Sequence, residues 1–152
     1  MQMNGEKQMD EIVLVSGGFD PLHSGHIKLI DEASKHGKVV VLLNSDKWLT
    51  NKKGKAFLPY NEREIIMHAL KNVTDVIICG EKDSTCLDGI ETVIKKYNDY
   101  RIKFANGGDR NNDTTPELVF CEKNNIELLW GIGGNEKSNS SSWILNKWKE
   151  NL

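Results

Sequence analysis

The 152 residues predict an open α/β fold: a parallel five-stranded sheet in the order 3-2-1-4-5, with helices on both faces. Three observations carry that expectation. Five short apolar runs recur along the chain, segments with helical apolar spacing separate them, and glycine-rich turns follow the first and fourth runs. About five strand–helix units are too few to close an eight-stranded barrel, so the sheet should stay open.

The first run is residues 12–15 (IVLV), and the turn SGGFDPLH leads from it into a helix whose apolar stripe is Ile27, Leu29, Ile30 and Ala33. The second is residues 39–43 (VVVLL), β-branched and apolar throughout, as a strand covered on both faces should be. Residues 45–61 follow, rich in lysine with one glycine and one proline, and read as a mobile surface loop. Ile65, Ile66, Ala69 and Leu70 then mark a helix before the third run, residues 76–79 (VIIC). Leu87, Ile90 and Ile94 mark another helix before the fourth run, residues 102–105 (IKFA). Thr115 is a candidate N-cap, with Pro116 at the first helical position and Glu117 in the first turn, ahead of the fifth run at residues 126–130 (IELLW). A last helix should open at the serine cluster Ser140–Ser142 and carry Trp143 and Ile144.

Composition excludes several classes. A 38% hydrophobic and 28% charged chain of this length is an ordinary globular protein, able to bury a core without staples. A formal charge of −2 offers no general attraction to nucleic acid or to an acidic membrane, so any anion site must be local. No run of about eighteen apolar residues suggests a membrane span, and the polar start lacks a signal-peptide core. Cys79, Cys86 and Cys121 form no CxxC pair and read as reduced, partly buried thiols of a cytoplasmic protein rather than as metal ligands. His36 and His68 read as structural, and Trp48 and Trp143 as core residues before pocket residues.

In an open α/β sheet the ligand crevice lies beyond the carboxyl ends of the strands, where strand order reverses. In the order 3-2-1-4-5 the turns after strands 1 and 4, Gly17-Gly18 and Gly107-Gly108-Asp109, flank that crevice. Gly17, Gly18 and Gly25 remove side chains where a polyphosphate would approach the backbone. His23 and His26, three apart at a helix start, lie on one side, and the helix N-terminus adds unpaired N–H groups and partial positive charge. The pattern is a phosphate cradle, yet neither a Walker loop, since no GK[ST] follows, nor a dinucleotide GxGxxG turn.

With those residues in view, GGFDPLHSGHIKLI resembles the GxFDxxHxGHxxxL motif of the cytidylyltransferase-like nucleotidyltransferases. The resemblance extends over nearly the whole chain from Glu11. The stretch from NSDKWL to VTDVII is similar to the heptose-1-phosphate adenylyltransferase pattern, FANGGDR to its KGGD turn, and SNSSSWIL to its STTxI helix start. Two positions depart from it: serines stand for the threonines, and Phe104-Ala105-Asn106 replaces the usual lysine before GGD. Residues 1–10 then read as a flexible lead and 11–152 as one Rossmann-like nucleotidyltransferase domain.

What the resemblance implies for the site is as follows. His23 and His26 would bind the nucleotide phosphates and stabilise charge at the α-phosphate. Lys52, Lys53 or Lys55 would reach phosphates or acceptor, and Arg63 matches the family's helix arginine. Gly17, Gly18, Phe19, Asp20, Gly25, Gly107, Gly108 and Asp109 would line the nucleotide site, and Ser140, Ser141 and Ser142 would meet the β- and γ-phosphates. The implied reaction moves AMP or CMP from ATP or CTP to a small phosphorylated sugar or polyol, releasing pyrophosphate. Mg²⁺ would be held mainly by the triphosphate, with no protein metal site and no nucleic-acid or membrane partner; a homodimer is compatible with it. A phosphate monoester is already a dianion at neutral pH and needs no general base. Both histidines are expected to titrate near the ordinary 6.5. The alternatives are a glycerol-3-phosphate-type cytidylyltransferase, a mononucleotide or pantetheine-phosphate adenylyltransferase, and a catalytically idle nucleotide sensor. An aminoacyl-tRNA synthetase shares the histidine motif but would need a KMSKS segment, which is absent here.

Overall fold

The computed structural model describes residues 10–106, 115–133 and 140–150. Its strands are β1 (Glu11–Gly17), β2 (Lys38–Asn44), β3 (Val73–Cys79), β4 (Arg101–Ala105) and β5 (Glu127–Leu129). All pairings are parallel and the order is β3-β2-β1-β4-β5, as the sequence led us to expect. β1 is central, with Ile12 opposite Lys38 on one side and Ile102 on the other.

Alternation along the strands divides the core into two layers. Ile12, Leu14, Val40 and Leu42 point to one face, where α4 (Leu87–Lys96) brings Ile90 and Val93 and α5 (Pro116–Lys123) brings Cys121. Val13, Val15, Val39, Val41 and Leu43 point to the other, where α1 (Ser24–Ser34) brings Ile30 and Ala33 and α3 (Tyr60–Ala69) brings Met67. Both faces are dry, which is why β1 and β2 read as unbroken apolar runs rather than alternating ones. Helix α4 lies close against the sheet at Gly89, where a Cβ would stand 2.6 Å from the Cβ of Cys79.

The structure departs from the sequence reading in three places. Residues 45–61 are not an irregular loop: α2 (Asp46–Lys53) occupies half of them, capped by Ser45, whose hydroxyl accepts from the Trp48 N–H at 3.0 Å. Gly54, at φ 94°, ends it. Only Leu49 of α2 is buried, so the helix has no apolar stripe to betray it. In α3 the inward positions are Arg63 and Met67, while Ile65 is 63% exposed, because the helix is turned to bring an arginine under the loop before it. Trp143 is 54% exposed and lies outside the core. The last helix, α6 (Ser141–Lys149), does start at the serine cluster: the Ser140 hydroxyl accepts from the Trp143 N–H at 3.0 Å.

Candidate active site

The turn after β1 delivers two imidazoles to the first turn of α1. His23 is the N-cap, and its Nδ1 accepts from the Gly25 N–H at 3.0 Å. His26 returns the contact: its Nδ1 accepts from the His23 N–H at 3.2 Å. This reciprocal cap has a chemical consequence. A ring nitrogen that accepts carries no proton, so in each neutral ring the proton must sit on Nε2. Each histidine is thereby fixed as an Nε2–H donor, beside the partial positive charge of the helix N-terminus. The two rings stack at 3.8 Å between centroids, 25° apart in plane, and the Phe19 and His26 rings meet in a T-shaped contact with centroids 4.7 Å apart.

That packing changes the chemistry of His26. Burial, with His23 beside it, lowers its pKa from 6.5 to about 4. The expectation of ordinary titration near 6.5 does not hold for His26, which is a neutral donor at neutral pH. Phe19, itself at φ 49° and 4% exposed, backs the ring that it helps to desolvate.

Asp20 faces inward rather than toward a ligand. Its carboxylate, 2% exposed with the rest of the residue, accepts from the N–H groups of Phe57 at 2.6 Å and Leu58 at 2.7 Å. Lys53 joins it: Nζ lies 3.2 Å from Oδ2 and donates to the Asp20 carbonyl at 2.9 Å. The aspartate of the histidine motif thus staples the lysine segment to the turn that holds the histidines. Arg63 works from beneath. Its Nε donates to the Leu58 carbonyl (2.9 Å), Nη1 to the carbonyls of Gly18 (3.1 Å) and Asn44 (2.7 Å), and Nη2 to Asp46 Oδ1 (2.8 Å). At 1% exposure its guanidinium is a strut joining the ends of β1 and β2 to the segment between α2 and α3.

The remaining expected residues divide. Lys52 turns aside, its ammonium 4.8 Å from the centre of the Trp48 ring. Lys53, Lys55 and Ser142 line one cavity of about 520 Å³ beside the histidine turn. The Ser141 hydroxyl donates to the Pro21 carbonyl at 2.8 Å, docking α6 on the same turn. Gly17 and Gly18 leave little room: a Cβ on Gly18 would meet Leu49 Cδ2 at 2.8 Å, so its bareness serves the packing of α2. Gly25 gives its N–H to His23. Gly107, Gly108 and Asp109 lie outside the described residues. The crevice they were expected to flank is present between β1 and β4, a cavity of about 230 Å³ lined by Ser16, Leu29, Ala105, Asn106, Thr115 and Glu117 among others.

Sequence reasoning missed Asn44. Buried at the end of β2, it donates from Nδ2 to Cys79 Sγ (3.4 Å) and Cys86 Sγ (3.2 Å), while its carbonyl receives Arg63. A polar residue ending an apolar strand was the available signal. The three cysteines are buried free thiols, and the thiols of Cys79 and Cys121 are pushed up by their surroundings, Cys79 chiefly by the Cys86 thiol and Cys121 chiefly by burial. Among the described residues no group of three or more His, Cys, Asp or Glu side chains could hold a metal, and no helix is long and apolar enough to cross a membrane.

The family model for cytidylyltransferase-like proteins matches residues 14–130, which include the histidine turn, the strut and the crevice. The chain belongs to the cytidylyltransferase-like family of nucleotidyltransferases. Within it, the chain is similar to the bifunctional protein HldE of Geobacter metallireducens, 33% identical over 147 residues, covering 92% of this chain and 28% of the relative. It thus spans a little over a quarter of that relative's length. A shorter match, 38% identical over 66 residues, joins 43% of the chain to 51% of the glycerol-3-phosphate cytidylyltransferase of Bacillus subtilis. The crystal structure of the lipopolysaccharide core biosynthesis protein from Thermoplasma volcanium shares the fold, with a TM-score of 0.59 at 24% identity over 81% of this chain and 96% of that one.

Proposed function

We propose that this chain transfers a nucleoside monophosphate from a magnesium-bound nucleoside triphosphate to a small phosphorylated sugar or polyol. The observation that carries the reading is the pair of Nε2–H donors fixed by the reciprocal cap at the start of α1. Donors held in place by the backbone cost no reorganisation as charge builds on the α-phosphate. An acceptor phosphate oxygen attacks the α-phosphorus, the bond from that phosphorus to the bridging oxygen breaks, and pyrophosphate leaves. No proton moves, because the acceptor is a dianion near neutral pH. The chain's part is alignment and relief of negative charge, which suits a site of imidazoles, lysines and helix N-termini.

Magnesium enters this reading as part of the nucleotide substrate. Asp20, the carboxylate of the histidine motif, has both oxygens engaged by the Phe57 and Leu58 amides. Magnesium bound chiefly through phosphates is usual for this ion. The nucleoside fits the crevice between β1 and β4, the switch point of the sheet.

The likeness of the stretch from NSDKWL to VTDVII to the heptose-1-phosphate adenylyltransferase pattern, beside the long match to HldE, favours a sugar phosphate over glycerol phosphate, and ATP over CTP. The shorter match to the glycerol-3-phosphate enzyme keeps a polyol phosphate as the second reading. The test is a matrix of four nucleoside triphosphates against sugar and polyol phosphates and their dephosphorylated forms, followed by pyrophosphate release. Release that requires the acceptor's phosphate is expected, with an acidic limb set by that phosphate near pH 6 rather than by His26. Equal turnover of a dephosphorylated acceptor would make a hydroxyl the nucleophile and overturn the mechanism. Nucleotide binding with no pyrophosphate from any pair would mark the chain as a sensor.

A further inference from the structure

We infer that Cys79 and Cys86 are a preformed dithiol site, oxidised by a hydroperoxide to a reversible disulfide beneath the end of β2. The last residue of β3 and the N-cap of α4 bring their sulfurs to 2.7 Å, against about 2.05 Å in a disulfide. Both backbones are held there. The Cys79 carbonyl accepts from the Ser45 N–H at 2.8 Å, and the Cys86 N–H donates to Glu117 Oε1 at 3.0 Å. Asp88 closes the loop between the cysteines by accepting from the N–H groups of Gly80 and Glu81, each at 2.9 Å. The bare Cα of Gly89 lets the first turn of α4 approach the end of β3 this closely.

A buried cysteine ordinarily serves as a small apolar filler, which needs no donor. Here the Asn44 amide, itself buried, donates from Nδ2 to both sulfurs. Such bonds are weak to a thiol and strengthen when the sulfur carries negative charge. The pair is not symmetric. Hydrogen bonding to the Cys86 thiol raises the Cys79 pKa, and burial adds to it. Cys79 therefore keeps its proton and donates it toward Cys86, whose sulfur then receives two donors, Cys79 and Asn44. Cys86 is also the sulfur nearer solvent, since it follows the exposed residues 81–84. It is the attacking sulfur, and Cys79 the resolving one.

The Cys86 thiolate attacks one peroxide oxygen, the O–O bond breaks, and hydroxide leaves, with a sulfenic acid formed on Cys86. The Cys79 sulfur then attacks the Cys86 sulfur, the S–O bond breaks, and the Cys79 proton leaves with the hydroxyl as water. In all, two thiols give up two electrons and two protons, and hydrogen peroxide becomes two waters. Small thiols restore the pair by exchange. Without Cys79 the sulfenic acid would be open to further, irreversible oxidation. A sulfonate at this place would put a fixed charge against Asn44, whose carbonyl holds the Arg63 strut.

The experiment treats the folded full chain with hydrogen peroxide, quenches with an alkylating reagent and maps the products by peptide mass spectrometry. A peptide pair joining Cys79 to Cys86 and lighter by two hydrogens is expected, and dithiothreitol should reverse it. Cys121, buried in the same core layer, should react about tenfold more slowly. The disulfide closes a short loop, so the oxidised protein should melt about 5 °C above the reduced one. Cys79→Ser should halt the reaction at a sulfenic acid on Cys86, captured by dimedone. Cys86→Ser should remove the fast reaction and leave Cys79 unmodified. The proposal is overturned by a Cys79–Cys86 link that forms only once urea is added, or by Cys121 reacting ahead of the pair. A linked protein that melts no higher than the reduced one overturns it too, since closing the bond would then distort the fold. None of these readouts involves a substrate, so the result is independent of the transfer reading.

Discussion

His26→Asn offers a test of the site that needs no substrate. Asparagine places an acceptor oxygen close to where Nδ1 stood, so the cap on the His23 N–H is kept, but it has no titrating ring. In the native protein His26 protonates only near pH 4, whereas in the unfolded chain it does so near 6.5. Above 6.5 neither state holds the proton and the residue is neutral in the balance. Between 6.5 and 4 the unfolded chain takes the proton and the native state does not, so stability falls as pH falls. Below about 4 both states are protonated and the loss levels off. The full interval corresponds to a ceiling of about 3 kcal/mol, and partial solvent access to the ring reduces the expected value to about 1.5 kcal/mol. Urea unfolding of wild type and variant at pH 7, 5.5 and 4 measures it. Taking the difference between the proteins cancels the carboxylates common to both. The variant should gain about 1.5 kcal/mol on the wild type between pH 7 and 4. Parallel stability curves would show that His26 titrates normally, and the neutral-donor assignment would fail.

Two further outcomes follow from the supports of the site. Arg63→Met removes the guanidinium from the carbonyls of Gly18, Asn44 and Leu58, and should cost about 3 kcal/mol in urea unfolding; wild-type stability would show that the strut bears no load. Gly80→Ala puts a Cβ 2.6 Å from Trp48 Cδ1 at a φ of +81°, and should lower stability by about 2 kcal/mol, read as a fall in Tm; an unchanged Tm would mean that the turn relaxes freely.

The sheet order was legible because strands covered on both faces are apolar runs, and because the chain alternates them with helices. Residues 39–43 are the plainest case: every side chain is buried, and every one reads as strand. The histidine turn was legible because its residue types fit a phosphate and not a core. Helix α2 was not, since it buries one leucine and, Trp48 apart, is otherwise charged or polar. The phase of α3 was misjudged for a related reason: its inward face is built around Arg63, and an apolar count cannot anticipate a buried arginine. Asp20 belongs to the motif, yet its partners Phe57 and Leu58 lie far along the chain, so its stapling role appears only once the chain is folded. The low pKa of His26 likewise depends on Phe19 and His23 packing about it, which spacing alone does not encode.

The central position of β1 constrains how the molecule is made. As the chain leaves the ribosome, β1 can pair with β2 as soon as residues 38–44 emerge, but its opposite edge must wait for residues 101–104. At about 5–20 residues per second that interval is on the order of several seconds. Throughout it, the nascent chain carries an unpaired edge on the strand that contains Ile12, Val13, Leu14 and Val15, all fully buried in the folded protein. An open apolar edge invites pairing with other chains. Slowing translation between β3 and β4 would lengthen that exposure, and nascent chains stalled before residue 101 should be the form most dependent on holding chaperones.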